Sequence, residues 1–230
     1  MNRFKEGAVS PLSSIWCRVA GLVGILLLTA CSQHASPPAF ITSGYADNDG
    51  AVRIWRKDSN DETHLLSVFS PWHHGHTTKG EYWWQNGKLQ RIDLNIYTTP
   101  VERIRARFDS QGELSFMQHE VDGQKQPLTD DQIALYRYRA EHIHQISDAL
   151  RQGNVVLHQG HWDTDQRVTT CDGQTVKPDL SARAFAHIAR RQNTSRLAVS
   201  IAWLEAPEGA QLLLVANEDY CSWQPKEKDF

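Results

Sequence analysis

From residue 81 to residue 121 the chain alternates apolar and polar side chains, and turn sequences interrupt the alternation. Ile104, Ala106 and Phe108 alternate with Arg103, Arg105 and Arg107, and Ile92, Leu94 and Ile96 are likewise spaced by polar residues. Successive side chains on a strand point to opposite faces, so this pattern allows half-buried strands and little else. Asn86-Gly87 follows Tyr82-Trp83-Trp84 and is the strongest short hairpin signal. Asp109 to Gly112 turns the chain, Leu114 and Phe116 are expected to face the core in the return strand, and Asp122-Gly123 ends that strand. Ala51 to Arg56, with Val52 and Ile54 on one face, and His64 to Phe69 supply earlier strands. The reading is an antiparallel meander with one wet face. Asp47-Asn48-Asp49-Gly50 before it is a turn, and lacks the ligand run and closing Glu of a calcium loop.

A helix follows. Thr129-Asp130-Asp131-Gln132 is a capping box. Ile133, Tyr136, Ala140, Ile143, Ser147 and Leu150 then form a helical stripe that ends at Gly153. Beyond Asn154, strands are expected over 155–162, 167–171, 197–204 and 211–216, with a short helix over 181–192. The fold class is α+β: an antiparallel meander packed by one long helix, then a small β-rich region, compatible with a partly open barrel, that holds a short helix. The expected domain divisions are 31–50 as a flexible tether, 51–153 as meander and helix, 154–225 as the β-rich region, and 226–230 as a loose tail.

Residues 1–30 read as a secretory signal. Arg3, Lys5 and Arg18 precede an uncharged run from Val19 to Ala30. That run falls well short of the roughly 20 residues a spanning helix needs. Leu28-Thr29-Ala30-Cys31 resembles the lipobox of bacterial lipoproteins. The resemblance implies cleavage before Cys31 and acylation of its sulfur and new amino group. Two or more acyl chains hold a protein on a bilayer stably. Ser32, in place of the Asp that favours inner-membrane retention, resembles the outer-membrane sorting class. The expected address is therefore the outer membrane, lipid-anchored and facing the periplasm.

The formal net charge is −3 and becomes more negative without residues 1–30, so nothing in the balance suggests a nucleic-acid binder, which needs a basic face. Besides the anchor, Cys171 and Cys221 remain outside the signal. An oxidising compartment and an even count point to a disulfide, with free thiols or a metal pair as alternatives. Such a bond closes a loop of about 50 residues, worth roughly 4 kcal/mol in the chain-entropy model.

All 11 histidines lie beyond the signal. His73-His74-Gly75-His76 is a loop whose imidazoles could meet on one ion, or simply face water. His158 and His161 face opposite sides of a regular strand and converge only if the strand bulges at Gly160, with Asp163 as a further ligand. A composite of both loops would suit zinc, copper or nickel; otherwise no cofactor is implied. On the helix, His142 and His144 point apart, His142 to solvent and His144 to the edge of the apolar stripe.

No nucleophile elbow, phosphate loop, dinucleotide fingerprint or HExxH occurs, so no catalytic residue is assigned. Arg103, Arg105 and Arg107 form a stripe that fits either an anionic partner or a solvated face paired to acidic neighbours. Of Trp83 and Trp84, one belongs to the core and the other is free to meet a partner or membrane surface.

The lipobox, the Tyr82-Trp83-Trp84 to Asn86-Gly87 hairpin, the capped Tyr-rich helix and the late Cys171-Asp172-Gly173 turn together resemble the YjaH-like lipoproteins of Gram-negative bacteria, a domain family of unknown function. The resemblance spans the chain and implies an envelope address, but carries over no site residue. The functional expectation is a non-enzymatic envelope lipoprotein with a binding or assembly role. Its partners are the membrane, through the Cys31 acyl chains, and an envelope protein or glycan. The alternatives are a periplasmic transition-metal-binding or metal-sensing lipoprotein and an envelope hydrolase.

Overall fold

The alternating segments form an eight-stranded antiparallel sheet in strict chain order. Its strands are β1 (Phe40–Ala46), β2 (Gly50–Ser59), β3 (Glu62–Pro71), β4 (Thr78–Gln85), β5 (Lys88–Ile96), β6 (Glu102–Phe108), β7 (Leu114–Val121) and β8 (Gln124–Gln126). This is a computed structural model, and it describes residues 38–163 and 165–230. The signal, Cys31 and the tether up to residue 37 lie outside the described residues. Among the described residues no helix is long and apolar enough to cross a membrane.

The turn chemistry acts as expected. Asn86 and Gly87 both take positive φ, 52° and 71°, as a two-residue hairpin between right-twisted strands requires. Asp122-Gly123 does the same: it ends β7, as expected, and opens the β7–β8 hairpin. The sheet also begins earlier than expected. Residues 40–46 are β1, not tether, and pair along β2 from Phe40↔Lys57 to Ala46↔Ala51. Thr42, Ser43 and Gly44 mask the strand in the sequence, but Thr42 Oγ1 donates to the Leu157 carbonyl at 2.9 Å, a long-range bond.

Helix α1 (Asp130–Gln152) starts at the expected box: Gln132 N donates to Thr129 Oγ1 at 3.3 Å, and Thr129 N donates to Gln132 Oε1 at 2.9 Å. Its stripe packs the buried Ala140 and Ile143 with Val52, Ile54, Leu65, Trp84 and Ile92 of the sheet, and Ser147 is buried one turn further on. Arg56 ties the C-terminal turns to the β2–β3 hairpin. Its guanidinium donates to Ser147 Oγ at 2.6 Å, Asp148 Oδ1 at 2.7 Å and Asp58 Oδ1 at 2.9 Å. Arg151 Nη1 meets the other Asp58 oxygen at 2.6 Å.

The C-terminal region is an open sheet, not a barrel: the strand order is β11-β10-β9-β12-β13, with β11 and β13 as edges. Its strands are β9 (Val156–Trp162), β10 (Val168–Thr170), β11 (Thr175–Val176), β12 (Val199–Ala206) and β13 (Gly209–Ala216). Helix α2 (Ala182–Ser195) covers one face through Ile188, packed with Val168, Val199, Ile201 and Trp203. The other face meets the first sheet: Leu157, Ala202, Leu213, Leu214 and Tyr220 share a core with Ala51, Trp55, Leu66 and Val68. The layers therefore run α1, first sheet, second sheet, α2, and the described residues form one unit.

This corrects the wet face. Seven consecutive residues of β2, Gly50 to Arg56, are buried, because one side of the strand meets α1 and the other meets the second sheet. At β6 the expectation holds: Arg103, Arg105 and Arg107 are exposed, and Arg103 pairs with Glu120 at 3.3 Å. Phe116 does not face the core: a register shift between Arg107 and Phe108 sets it opposite Arg107, exposed, with that guanidinium 5.5 Å over its ring. The tail is docked, not loose. Residues Glu227–Asp229 form a short helical turn, and the Phe230 ring packs on Phe40 and His64 at 5.4 and 4.4 Å. Lys57 Nζ donates to the carbonyls of Glu227 and Phe230 at 3.3 and 3.4 Å.

Candidate functional site

A cleft of about 690 Å³ opens between α1 and the β1–β4 end of the first sheet. Two turns make its mouth. In the first, Asp47 N donates to the Gly50 carbonyl at 2.7 Å. The second, after β3, is zipped to it: Trp72 N donates to the Asp49 carbonyl and Trp72 Nε1 to the Asp47 carbonyl, both at 3.0 Å. These bonds hold the Trp72 ring at the rim with 38% of its surface in water. Asp47, Asp49, His73 and His74 stand beside it.

Aromatic rings make the floor and wall. Tyr45 and Phe69 reach the cleft from β1 and β3, Tyr82 from β4, and Tyr136 from α1. Burial, with help from Asp47, pushes the Tyr45 phenol up to about 12. Burial also raises Tyr82, which the nearby Ser67 hydroxyl opposes, and raises Tyr136, with Glu102 adding to it. All three stay neutral and offer hydroxyls that both donate and accept. Arg139, one helical turn from Tyr136 and His142, brings a cation to the same wall.

The sequence expectations divide here. His73 and His74 line the cleft, whereas His76 is exposed outside the lining. His158 and His161 do not converge. β9 pairs with β12 residue by residue through Gly160↔Ile201, so no bulge turns them together. Gly160 has another role: a Cβ there would lie 2.2 Å from the Thr169 carbonyl oxygen, so glycine lets β9 approach β10. His158 stacks on Trp203 at 5.1 Å with its Nε2 3.3 Å from Glu205, while His161, on the opposite face of β9, is exposed beside Ser200. The Asp163 carboxylate accepts from the backbone N–H groups of Asp165 and Arg167 at 2.9 and 2.8 Å, as a turn-former does.

Among the described residues, the group that gathers three potential metal-ligand atoms within 4.8 Å is His161, Asp219 and Cys221. Neither histidine loop forms such a group, alone or as the composite. Cys171 and Cys221 are joined, with Cα atoms 5.2 Å apart. His144 stacks on Trp84 at 4.5 Å, and burial lowers its pKa, as its place at the stripe edge implies. His142 is exposed and stacks on Tyr138. Trp84 is core, and Trp83 lies half-buried between the Arg91 guanidinium at 4.4 Å and the His64 ring at 4.5 Å.

Ser200, His161 and Asp219 stand in a row, with contacts of 3.4 and 3.5 Å. Ser200 is 3% exposed, so a substrate carbonyl has no open approach to its hydroxyl. The row orients the imidazole.

The family described as "Protein of unknown function (DUF1481)" matches residues 42–226. The chain belongs to the DUF1481 family. It is 63% identical over 231 residues, covering 100% of both chains, to "Uncharacterized protein YjaH" of Escherichia coli (strain K12). This is the resemblance that the hairpin, the capped helix and the Cys-Asp-Gly turn suggested. No solved structure matches. The matched region begins inside β1 and so takes in both sheets, both helices and the cleft. The DUF1481 cleft residues missed in the sequence are Tyr45, Asp47, Asp49 and Arg139. The spacing of Tyr136, Arg139 and Ile143 on α1 held a usable signal, whereas Tyr45 was hidden by the tether reading.

Proposed function

We propose that this DUF1481 protein is a lipid-anchored, periplasm-facing outer-membrane lipoprotein that binds an envelope glycan in the α1 cleft without catalysing a reaction. The observation that carries the binding role is the cleft: aromatic walls, neutral phenol hydroxyls, Arg139 and a carboxylate-lined rim. Ligand sites commonly combine apolar walls with a few placed polar groups. Neutral hydroxyls suit a hydroxyl-rich ligand, because each group can both donate and accept. The lipobox at Cys31 supports the anchor. The Cys171–Cys221 bond agrees with an oxidising compartment. The reading requires no cofactor.

A photo-crosslinking residue placed at 139, on the cleft wall, is expected to capture one envelope species reproducibly. The same group at 105, on the exposed face of β6, is expected to capture none. The mass of the adduct separates a glycan from a protein segment. Equal recovery of abundant lipoproteins from both positions would sink the binding role. In the same cells, Cys31→Ser is expected to move the protein from the membrane to the soluble fraction, and retention in the membrane would sink the anchor.

A further inference from the structure

The disulfide sits inside a cluster that the cleft does not use. His161 Nε2 lies 3.5 Å from Asp219 Oδ1, and both bring ligand-type atoms within 4.8 Å of Cys221 Sγ. Cys171 is bonded to that sulfur, so a second sulfur belongs to the same spot. The surroundings orient each group. Asp219 Oδ1 accepts from Cys221 N at 2.9 Å, which fixes the carboxylate beside the sulfur. Ser200 Oγ stands 3.4 Å from His161 Nδ1. A hydroxyl accepting the Nδ1 proton leaves the Nε2 lone pair facing Asp219 and Cys221, the arrangement common among metal-bound histidines. His161 and Asp219 are exposed and Cys221 is half-buried, so ions and reductants can reach the cluster.

We propose that reduction of the Cys171–Cys221 disulfide uncovers a tetrahedral site for a thiophilic divalent cation, zinc foremost, with Cys171, Cys221, His161 and Asp219 as its ligands. Thiolate, imidazole and carboxylate are zinc's protein ligands, and four of them at about 2.0–2.3 Å close a structural site. In the oxidised chain the sulfurs carry no thiolate charge and the site is shut. A dithiol supplies two electrons and two protons to the disulfide and itself becomes a disulfide. Each new thiol then loses its proton to solvent as the cation binds. The ion thus replaces the covalent bond as the link between the turn after β10 and the segment after β13.

The test uses Co²⁺ as the probe, on the full chain in detergent, with and without a phosphine reductant. The reduced chain is expected to take up one Co²⁺, with thiolate-to-cobalt charge-transfer absorption that Zn²⁺ displaces. The oxidised chain is expected to take up none. Cys171→Ser/Cys221→Ser should abolish the absorption, which assigns it to these two sulfurs. His161→Ala and Asp219→Ala should each weaken binding at least ~10-fold, while His158→Ala, on the opposite face of β9, leaves it unchanged. Uptake by the oxidised chain, or no uptake by the reduced chain, overturns the proposal. So does equal affinity in His161→Ala and Asp219→Ala, which is also the result expected if reduction unfolds the chain and only loose thiols bind. None of these residues lines the α1 cleft, so failure here leaves the binding proposal standing.

Discussion

The two faces of β2 handle a buried arginine in opposite ways. On the face toward α1, Arg56 is 4% exposed and meets the carboxylates of Asp58 and Asp148 as well as Ser147. On the face toward the second sheet, Arg53 is fully buried and has no carboxylate partner among the described residues. It donates to Gln159 Oε1 and Ser70 Oγ, both at 3.2 Å, and lies 4.6 Å over the Tyr220 ring. Burial pushes its pKa down to about 10, against the pull of Tyr220 and Glu218, so it remains charged at neutral pH. The difference teaches that the two interfaces are held by different forces. The helix is tied by charge as well as by its stripe. The sheets are joined by apolar contact around a guanidinium solvated by an amide, a hydroxyl and a π face. Gln159 carries this across the interface, since its amide nitrogen donates in turn to the Tyr220 carbonyl at 3.0 Å.

The strongest way to break the comparison is Trp55→Ala. Trp55 is 1% exposed and fills the core between the sheets. Its removal is expected to cost about 3–5 kcal/mol in urea unfolding. If the layers form one cooperative unit, a single transition moves to lower urea. Two separated transitions would show that the sheets unfold independently.

A sharper contrast comes from the arginines themselves. Arg56→Ala takes a buried guanidinium from Ser147, Asp58 and Asp148, leaves Arg151 as the cation beside the two carboxylates, and is expected to cost about 2–3 kcal/mol. Arg53→Met strands no carboxylate and removes a costly buried charge, so it should change stability by no more than about 1 kcal/mol in either direction. Equal losses in the two variants would erase the distinction between the faces.

The smallest expected effect lies where the second sheet no longer covers the first. On the same face as Arg53, further across the sheet, His64 at 3.6 Å and Lys79 at 2.8 Å flank Glu81. His64 first and then Lys79 hold the Glu81 carboxyl down, to about 2, against the opposing effect of burial. A depressed folded value stabilises the fold above the unfolded value. That contribution is lost as pH falls from 4.5 toward about 2. The urea midpoint should therefore drop across this window, and Glu81→Gln should flatten the drop. An unchanged profile in Glu81→Gln would remove Glu81 from the acid response.

Much of the fold could be read from neighbours in the chain. The alternation at β6, the Asn86-Gly87 turn, the Thr129–Gln132 box and the stop at Gly153 are local devices: each needs only a few consecutive residues to act. The family resemblance drew on the same signals. The readings that failed were of another kind. Arg53 alternates with Val52 and Ile54 just as Arg105 alternates with Ile104 and Ala106, yet one is fully buried and the other exposed. Periodicity says which residues share a face and is silent on what covers that face. Gly160 invited a bulge, and the neighbouring strand, not its own, explains the glycine.

The sequence by itself determined the meander, the capped helix and the cysteines fit to pair, because these follow from side-chain period, cap chemistry and composition. Only the tertiary structure decided which faces are dry, that Tyr45, Trp72 and Tyr136 share one cleft, and that His161 meets Asp219 beside the disulfide. Those contacts join segments far apart in the chain, and burying apolar surface between layers selects them without leaving a local trace.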